Sequence, residues 1–315
     1  RPGLAWHSSE VAQESVSESA HSTKHRDQQT QAGHPLCLQG LVALSRDPGR
    51  KRRLNEPVTE QVIVDRLAEN GLPYARLPLQ NGVSIIISQL GGRVLGPFLQ
   101  PGAASLFWVN PDWRQPETFR ALVGSGWNLG GERWWVAPEL QYLCRDRFDY
   151  ANAEYIQRAM DPGCWRLEPA GPVAWRLVQD MDLEVFNFGS GRKELHLETV
   201  IAPAADPLRL LSHYPELTEG VRYAGWEQTV TLAERQRDSL RSAAWNVIEL
   251  YPGGEMLIPV SPCAETTDYL LPIDARHQTV GPRHISLRIT GDRTYLVGYK
   301  AAHVLGRAGY LAPLG

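Results

Sequence analysis

Cysteine is scarce in this sequence, and long apolar runs are missing. Only four of the 315 residues are cysteines, none in a C-x-x-C pair and none with a histidine at ligand spacing: Cys37, Cys144, Cys164 and Cys263. This spacing predicts no zinc site and no dense disulfide framework, and buried thiols are the expected state. No stretch approaches the roughly 20 apolar residues that a membrane-crossing helix needs, so we expect a soluble chain with no membrane partner.

An excess of basic charge and the familiar catalytic motifs are also absent. The chain has 32 Lys and Arg against 35 Asp and Glu, a formal net charge of −3. A dedicated nucleic-acid binder is expected to be basic, so the composition argues against that class. The sequence has no G-x-S-x-G elbow, P-loop, H-E-x-x-H motif or Rossmann glycine set, which leaves nucleotide hydrolysis and zinc proteolysis without support. No metal and no cofactor is predicted.

The first 56 residues differ in composition from the rest. They are rich in Ser, Gln, His and charge and show no helical or strand periodicity. We therefore predict that residues 1–56 are disordered or non-native and exclude them from the fold. The apolar run 36–44 precedes the basic residues at 46–53, whereas a secretory signal has its positive charges first. No signal peptide is recognised, and the compartment stays unassigned.

From residue 57 onward the pattern changes to two helices and many strands. Thr59 is placed to cap a short helix that Asn70-Gly71 ends, and residues 116–122 have helical character. Apolar or β-branched runs separated by Gly, Pro and Asn turns predict strands. The main runs are 74–79, 83–88, 93–98, 105–109, 194–201, 223–232, 242–250, 255–260, 283–290 and 294–299. So many strands with so few helices predict an all-β class with minor α, a large antiparallel sandwich or barrel formed by residues 57–315 as a single domain.

The densest group of chemically active side chains lies between Trp127 and Glu139. These thirteen residues combine three Trp, two Gly, two carboxylates, one Arg and one Pro without a regular apolar period, which predicts a binding loop. A Trp ring offers a flat apolar face to sugar C–H groups, while Arg and carboxylates offer donors and acceptors to hydroxyls. The alternative is that Trp134 and Trp135 are core anchors and that Glu132–Arg133 is an exposed ion pair of little consequence.

Two later strands carry isolated polar residues that are further candidates. Within 223–229, strand alternation places Glu227 and Gln228 on opposite faces, so we do not expect both to contact one ligand. Within 242–249, Asn246 is set among apolar residues and is either a structural hydrogen-bonding group or a ligand contact. No histidine is marked as catalytic by a partner nearby in the sequence, so no general acid or base is assigned.

Six short segments carry a further signal in their order along the chain. They are Gly91–Leu95, Leu106–Pro111, Gly130–Glu139, Ala224–Thr229, Trp245-Asn246 with Pro252–Gly254, and Val297–Lys300. This order resembles the galactose mutarotase-like superfamily, and most closely its uncharacterised bacterial domain-of-unknown-function branches. The resemblance implies a large antiparallel β-supersandwich that binds a carbohydrate in a concave face. In the characterised relatives it implies aldose anomer interconversion by a His acid and a Glu base.

The sequence departs from that scheme in two places. The strand 243–250, where the resemblance implies the acid, offers Trp245 and Asn246 but no His. The base is implied on a C-terminal strand, and no such strand is found before Gly315. The catalytic residues are therefore unassigned, and the domain is predicted to be incomplete at its C-terminus.

The resulting prediction is a carbohydrate-binding protein, with an aldose 1-epimerase-like isomerase as the class if it is an enzyme. The alternatives are a non-catalytic carbohydrate-binding module, a glycoside hydrolase or lyase with paired carboxylates such as Glu132, Glu139 or Glu227, and a purely structural or protein-binding sandwich. The expected partner is a small-molecule carbohydrate. The candidate contacts are polar or aromatic members of the matched segments: Arg93, Glu132, Arg133, Trp134, Glu227, Asn246 and Lys300.

Overall fold

The computed structural model describes residues 4–7, 57–126, 128–235, 240–262, 264–269, 271–293 and 295–312. Most of the segment 1–56 lies outside the described residues, and so does the prediction that it is disordered. Its one described part is strand β1 (Leu4–His7), which pairs antiparallel with the last strand, β16 (Ala308–Leu311). Strand β1 was not predicted, because it is only four residues long and such a short segment shows no side-chain periodicity.

A five-stranded antiparallel sheet, the central sheet, lies at the core of the molecule. Its strand order is β10-β5-β4-β3-β2, formed by β2 (Tyr74–Pro78), β3 (Ser84–Ser88), β4 (Arg93–Phe98), β5 (Glu132–Ala137) and β10 (Ala243–Ile248). Every residue of β3, β4 and the first five of β5 is buried. The middle strands of the central sheet are therefore covered on both faces, which explains the continuous apolar run 85–87 in β3.

A four-stranded antiparallel sheet covers one face of the central sheet. It consists of β6 (Arg166–Pro169), β7 (Trp175–Glu184), β8 (Arg192–Pro203) and β9 (Trp226–Glu234) in that order. Its strands alternate, with Leu195, Leu197 and Ile201 inside and the residues between them more exposed. The inner residues pack against Ile85 and Ile87 of the central sheet, so the two sheets form a sandwich.

Helices cover the other face of the central sheet. Helix α1 (Glu60–Glu69), the 3-10 turn Pro111–Arg114 and helix α2 (Pro116–Ser125) pack Ile63, Trp113 and Phe119 against Ile86 and Leu95. Both long helices are confirmed: the first was predicted from Thr59 and the Asn70-Gly71 stop, and the second from the helical character of residues 116–122. Thr59 is the N-cap residue, but its side chain makes no capping hydrogen bond. The remaining helices are single turns that lie in connections: α3 (Glu139–Tyr142), α4 (Tyr150–Ala153), α5 (Tyr214–Thr218), and 3-10 turns at Gln80–Gly82, Leu90–Gly92 and Ala301–His303.

The last quarter of the chain forms a third sheet with a core of its own. This C-terminal sheet has the order β1-β16-β11-β14-β13, with β11 (Glu255–Pro259), β13 (Gln278–Val280) and β14 (His284–Arg288). A two-stranded ribbon of β12 (Thr266–Asp268) and β15 (Val297–Tyr299) lies beside it. Ile258, Val260, Ile285, Leu287 and Tyr299 form the buried cluster of this region.

The all-β prediction is confirmed, with four antiparallel sheets and few helices. Two local predictions are wrong. Residues 105–109 make only isolated bridges, Phe107 to Leu250 and Val109 to Gly130, because they cross the ends of the central strands without running alongside one. Cys144 is buried as expected, but Cys164 is exposed. No helix among the residues described is long and apolar enough to span a membrane.

Candidate functional site

The segment predicted as an open binding loop is a buried strand. Glu132, Arg133 and Trp134 are 1%, 3% and 8% exposed and belong to β5, which lies between β4 and β10. Trp127, at the start of the segment, lies outside the described residues. The prediction of a solvated loop is therefore wrong. Its error was to treat the charged residues as incompatible with a core strand, although partners from distant parts of the chain satisfy their charges.

One face of β5 contributes to a buried ion network formed by Arg93, Arg133, Asp161 and Glu249. Nη2 of Arg93 lies 2.8 Å from both carboxylate oxygens of Asp161, and Nε of Arg133 lies 3.1 Å from Oδ2. The indole of Trp135 donates to the same oxygen at 2.9 Å. Arg133 also pairs with Glu249 next to the end of β10. Two guanidinium groups thus meet two carboxylates, so the charges balance.

The ion network connects β4, β5, β10 and the loop that carries Asp161. Arg93 additionally donates to the carbonyl of Gly130 at 2.7 Å, and the Arg133 guanidinium lies 4.5 Å from the centre of the Trp135 ring. Burial lowers the pKa of Arg93 to about 10, against the opposing effect of Asp161. A group this enclosed is not offered to a ligand, so Arg93 and Arg133 stabilise the sheet and are not surface contacts. Asp161 was not predicted from the sequence, because its segment has no motif.

The opposite face of β5 forms a second polar group, the polar seam, consisting of Glu132, Trp134, Thr199, Gln228 and Asn246. It lies between the central sheet and the four-stranded sheet. Asn246 pairs with Trp134 in the strand register, and its Nδ2 donates to Oε1 of Glu132 at 3.0 Å. The Trp134 indole crosses between the sheets and donates to Oε1 of Gln228 at 2.8 Å.

Gln228 has hydrogen bonds on only one side of its amide. Thr199 Oγ1 lies 3.3 Å from the same Oε1 that accepts from Trp134. The amide nitrogen Nε2 is buried and has no hydrogen-bond partner among the described residues. One strand further from the seam, Gln179 accepts from the backbone of Cys164 at 3.2 Å, and its Nε2 is likewise buried without a described partner. Such donors need an acceptor from solvent or from a ligand.

The polar seam opens toward solvent at the edge of the sandwich. Asn246, Gln228 and Trp226 are each partly exposed, whereas Glu132 and Trp134 behind them are buried. The ring of Phe107 meets Trp226 edge to face, with centroids 5.9 Å apart. The seam therefore presents the partly exposed side chains of Asn246, Gln228 and Trp226, with the amide nitrogen of Gln228 enclosed behind this surface.

Two of the predicted contacts lie away from the seam. Glu227 is exposed on the outer face of the four-stranded sheet, as the alternation within β9 predicted. Lys300 is exposed beside the C-terminal sheet and pairs with Glu265, whose pKa the hydrogen bond from Lys300 lowers. The structure thus brings together Glu132, Trp134 and Asn246 on one face and Arg93 with Arg133 on the other, and leaves Glu227 and Lys300 outside both groups.

The histidines also lie away from the seam. His196 projects from the outer face of the four-stranded sheet, 3.0 Å from Asp180, and this hydrogen bond is the main reason why the pKa of Asp180 is lowered. His277, which the sequence did not single out, is 6% exposed and lies 3.0 Å from the hydroxyl of Tyr295. No local spacing marks that pair, since 18 residues separate its members.

Neither side of β5 offers a metal site. Within the described ranges, no three His, Cys, Asp or Glu residues come together in a way that would hold a metal ion. Comparison of the chain with protein-family models, with curated proteins and with solved structures yields no match in any of the three. The resemblance to galactose mutarotase-like proteins therefore stays a prediction.

Proposed function

We propose that this protein binds a neutral carbohydrate at the open edge of the polar seam. In this proposal Gln228, Asn246 and Trp226 contact the sugar, while Glu132 and Trp134 position the two amides from behind. The galactose mutarotase-like resemblance supports carbohydrate binding as well, because it implies a saccharide in a concave face of a β-supersandwich. The proposed site lies at the edge of a packed sheet and not in the solvated loop that the sequence predicted.

The observation that carries the proposal is the unpaired amide nitrogen of Gln228. A buried donor without a partner costs about 1–3 kcal/mol, so a site that retains one usually has an acceptor to supply. Sugar hydroxyls both accept and donate hydrogen bonds. The oxygen of the Asn246 amide makes no hydrogen bond with the described residues, because only Nδ2 is bonded to Glu132. One sugar hydroxyl could accept a hydrogen bond from Nε2 of Gln228, and another could donate one to the amide oxygen of Asn246.

The partly exposed indole of Trp226 supplies the apolar surface that a sugar ring requires. Pyranose rings present C–H groups on one face, and a flat indole face packs against them while its surroundings hydrogen-bond the hydroxyls. The edge contact from Phe107 fixes the Trp226 ring in place. A preformed aromatic surface loses little side-chain entropy on binding.

Binding without catalysis is the function that this geometry favours. Anomer interconversion requires a general acid and a general base, and no described histidine makes a hydrogen bond to a seam residue. The hydrolase alternative requires two carboxylates across one site, at most about 9.5 Å apart. Glu132 lies at the start of β5 and faces the inside of the sandwich, whereas Glu227 lies on the outer face of the four-stranded sheet. Glu139 follows the C-terminal end of β5, away from Glu132.

Saccharide titrations followed by tryptophan fluorescence test the proposal. The probes are D-glucose, D-galactose, cellobiose and lactose, and at least one is expected to give a saturable change. Gln228→Ala removes the unpaired donor and should weaken that binding by roughly three- to tenfold. Glu227→Ala is the matched control, since it alters the neighbouring residue on the outer face and should leave binding unchanged.

Polarimetry on the same sugars separates a binding protein from an isomerase. Saturable binding with an unaccelerated anomer interconversion is the expected result. A wild-type protein that responds to none of the four sugars, or equal affinities for the Gln228→Ala and Glu227→Ala variants, would overturn the proposal. Equal thermal midpoints for the two variants ensure that the comparison concerns the site and not the fold.

A further inference from the structure

A second polar site lies on the C-terminal sheet, away from the polar seam. It is a shallow, open cleft with a volume of about 130 Å³. This is smaller than the roughly 300–1,000 Å³ of pockets for drug-sized ligands, so the cleft suits only a small molecule. The residues that line it share polar side chains apart from a single alanine: Glu255, Ala275, Arg276, His277, Thr279, Ser286 and Arg288.

Strand register explains how these side chains meet. Glu255 on β11 pairs with Arg288 on β14, and Ser286 on β14 pairs with Thr279 on β13. Because register partners lie on the same face of a sheet, all four project to one side. The alternate residues, including Ile285 and Leu287, project to the other side and form the apolar core. The loop before β13 then places Arg276 and His277 along the rim of the polar face.

One guanidinium in this cleft forms no ion pair within the described part of the chain. Arg276 donates through Nε and Nη2 to Asp274, at 3.1 and 2.7 Å, and these hydrogen bonds lower the pKa of Asp274 to about 2. Glu255 accepts a hydrogen bond from the Ser286 hydroxyl. Arg288 faces Glu255 across the strands, yet its guanidinium forms no ion pair or hydrogen bond with any described residue. Its planar fork of donors is therefore available to a bound anion.

His277 gives the cleft a fixed wall. Its Nδ1 lies 3.0 Å from Tyr295 Oη, and its Nε2 lies 3.4 Å from Thr290 Oγ1 and 3.6 Å from a carboxylate oxygen of Asp292. A buried imidazole with partners at both nitrogens cannot rotate freely, so the surface it presents to the cleft is preorganised. Preorganised polar surfaces are what small polar ligands require.

We infer that this cleft binds a small hydroxylated monocarboxylate of the sugar-acid type, with the carboxylate on Arg288 and the hydroxyls on Glu255, Thr279 and Ser286. A carboxylate matches the two parallel N–H groups of one guanidinium. A phosphate dianion fits less well. Only one guanidinium of the cleft is without an ion pair to a described residue, and the Glu255 carboxylate opposite it repels two negative charges more strongly than one. The almost complete lack of apolar lining excludes a nucleobase or an acyl chain from the cleft.

Calorimetric titration of the whole chain at low ionic strength tests this inference. D-Glucuronate and D-galacturonate are the probes, and D-glucose and D-glucose 6-phosphate are the comparison ligands. At least one uronate is expected to bind at this cleft more tightly than glucose. Arg288→Gln should weaken uronate binding at least about tenfold, since it removes a charged hydrogen-bonding pair. Arg307→Gln, which alters another exposed arginine that does not line the cleft, should leave uronate binding unchanged.

A second readout places the ligand. The imidazole resonances of His277 should shift on addition of the uronate in the wild-type protein and stay in place in the Arg288→Gln variant. The inference fails if neither uronate binds, if Arg288→Gln binds as the wild type does, or if the phosphate binds more tightly than the carboxylate. These results do not depend on the seam proposal, because Gln228→Ala leaves this cleft intact and Arg288→Gln leaves the seam intact.

Discussion

At the scale of single residues, Asp161 is a buried carboxylate with three partners. It accepts hydrogen bonds from Arg93 and Trp135, forms an ion pair with Arg133, and is itself 1% exposed. Its importance comes from these three partners and not from its own burial. Burial has separated each partner from water, and Asp161 satisfies the two guanidinium groups together with the Gly130 carbonyl and Glu249.

Replacing Asp161 with Ala should strongly destabilise the protein. The change leaves two buried guanidinium groups with a single carboxylate, and breaking a buried ion pair in this way costs roughly 3–5 kcal/mol. Urea unfolding measures the loss in the free energy of unfolding. The control is Asp182→Ala, which removes an exposed partner of Arg192 and should cost less than about 1 kcal/mol. Similar losses in both variants would show that the buried network does not stabilise the fold.

The sequence identified several residues of this region but not their roles. Arg93, Glu132, Arg133, Trp134 and Asn246 were selected for their chemistry, and the structure brings them to β5 and its two neighbours. Their burial could not be predicted from the sequence, because their partners are distant in the chain. Asp161 lies 28 residues after Arg133, and Gln228 lies 94 residues after Trp134. A sequence shows a charge; only a fold shows whether a partner from far along the chain has neutralised it.

At the scale of secondary-structure elements, the Gly130-Gly131 pair determines how β5 enters the central sheet. Gly130 has a φ of 87° and lies against the chain at Trp108 and Val109. Glycine permits a positive φ and a close approach of the backbone, and both occur at Gly130, where the close neighbour is another part of the backbone. Strand β9 shows the opposite case, because its simple alternation predicted the faces of Glu227 and Gln228 correctly.

A Gly130→Ala substitution should weaken this entry to β5. The added Cβ would lie 2.4 Å from the carbonyl oxygen of Trp108, and the positive φ adds strain, so we expect a loss of about 2–4 kcal/mol. Thermal unfolding measures it. Gly220→Ala provides the matched control, since Gly220 has a φ of 71° and no atom within 4 Å of an added Cβ. A loss no larger than that of the control would contradict a tight crossing here.

At the scale of the whole molecule, the buried apolar side chains of the described residues fall into three clusters. Two lie on either side of the central sheet and the third lies inside the C-terminal sheet. Tyr251 joins the regions through its hydroxyl, which accepts from the backbone N–H groups of Val58 and Val109, while its carbonyl accepts from Tyr310. The sequence predicted one large β domain, but it could not show this division, because strand patterns do not tell which apolar residues share a cluster.

Separate clusters predict separate local stabilities. Ile258→Ala removes a fully buried side chain from the third cluster and should cost about 2–5 kcal/mol. Hydrogen exchange should then accelerate at amides of β11 and β14 and change little in β3 and β4. Ile87→Ala, in the first cluster, should produce the reverse pattern. Equal acceleration in both sheets for either variant would mean that the clusters unfold as one unit.

The ends of the sheets affect how copies of this chain behave toward one another. Strand β2, at one margin of the central sheet, finishes in Pro78, which has no N–H to offer an approaching strand, and β13, at the margin of the C-terminal sheet, is only three residues long. A neighbouring molecule that tried to add its own strand at either margin would find few backbone groups to pair with. The folded protein should consequently resist strand-by-strand self-association at these two margins, even when it is concentrated.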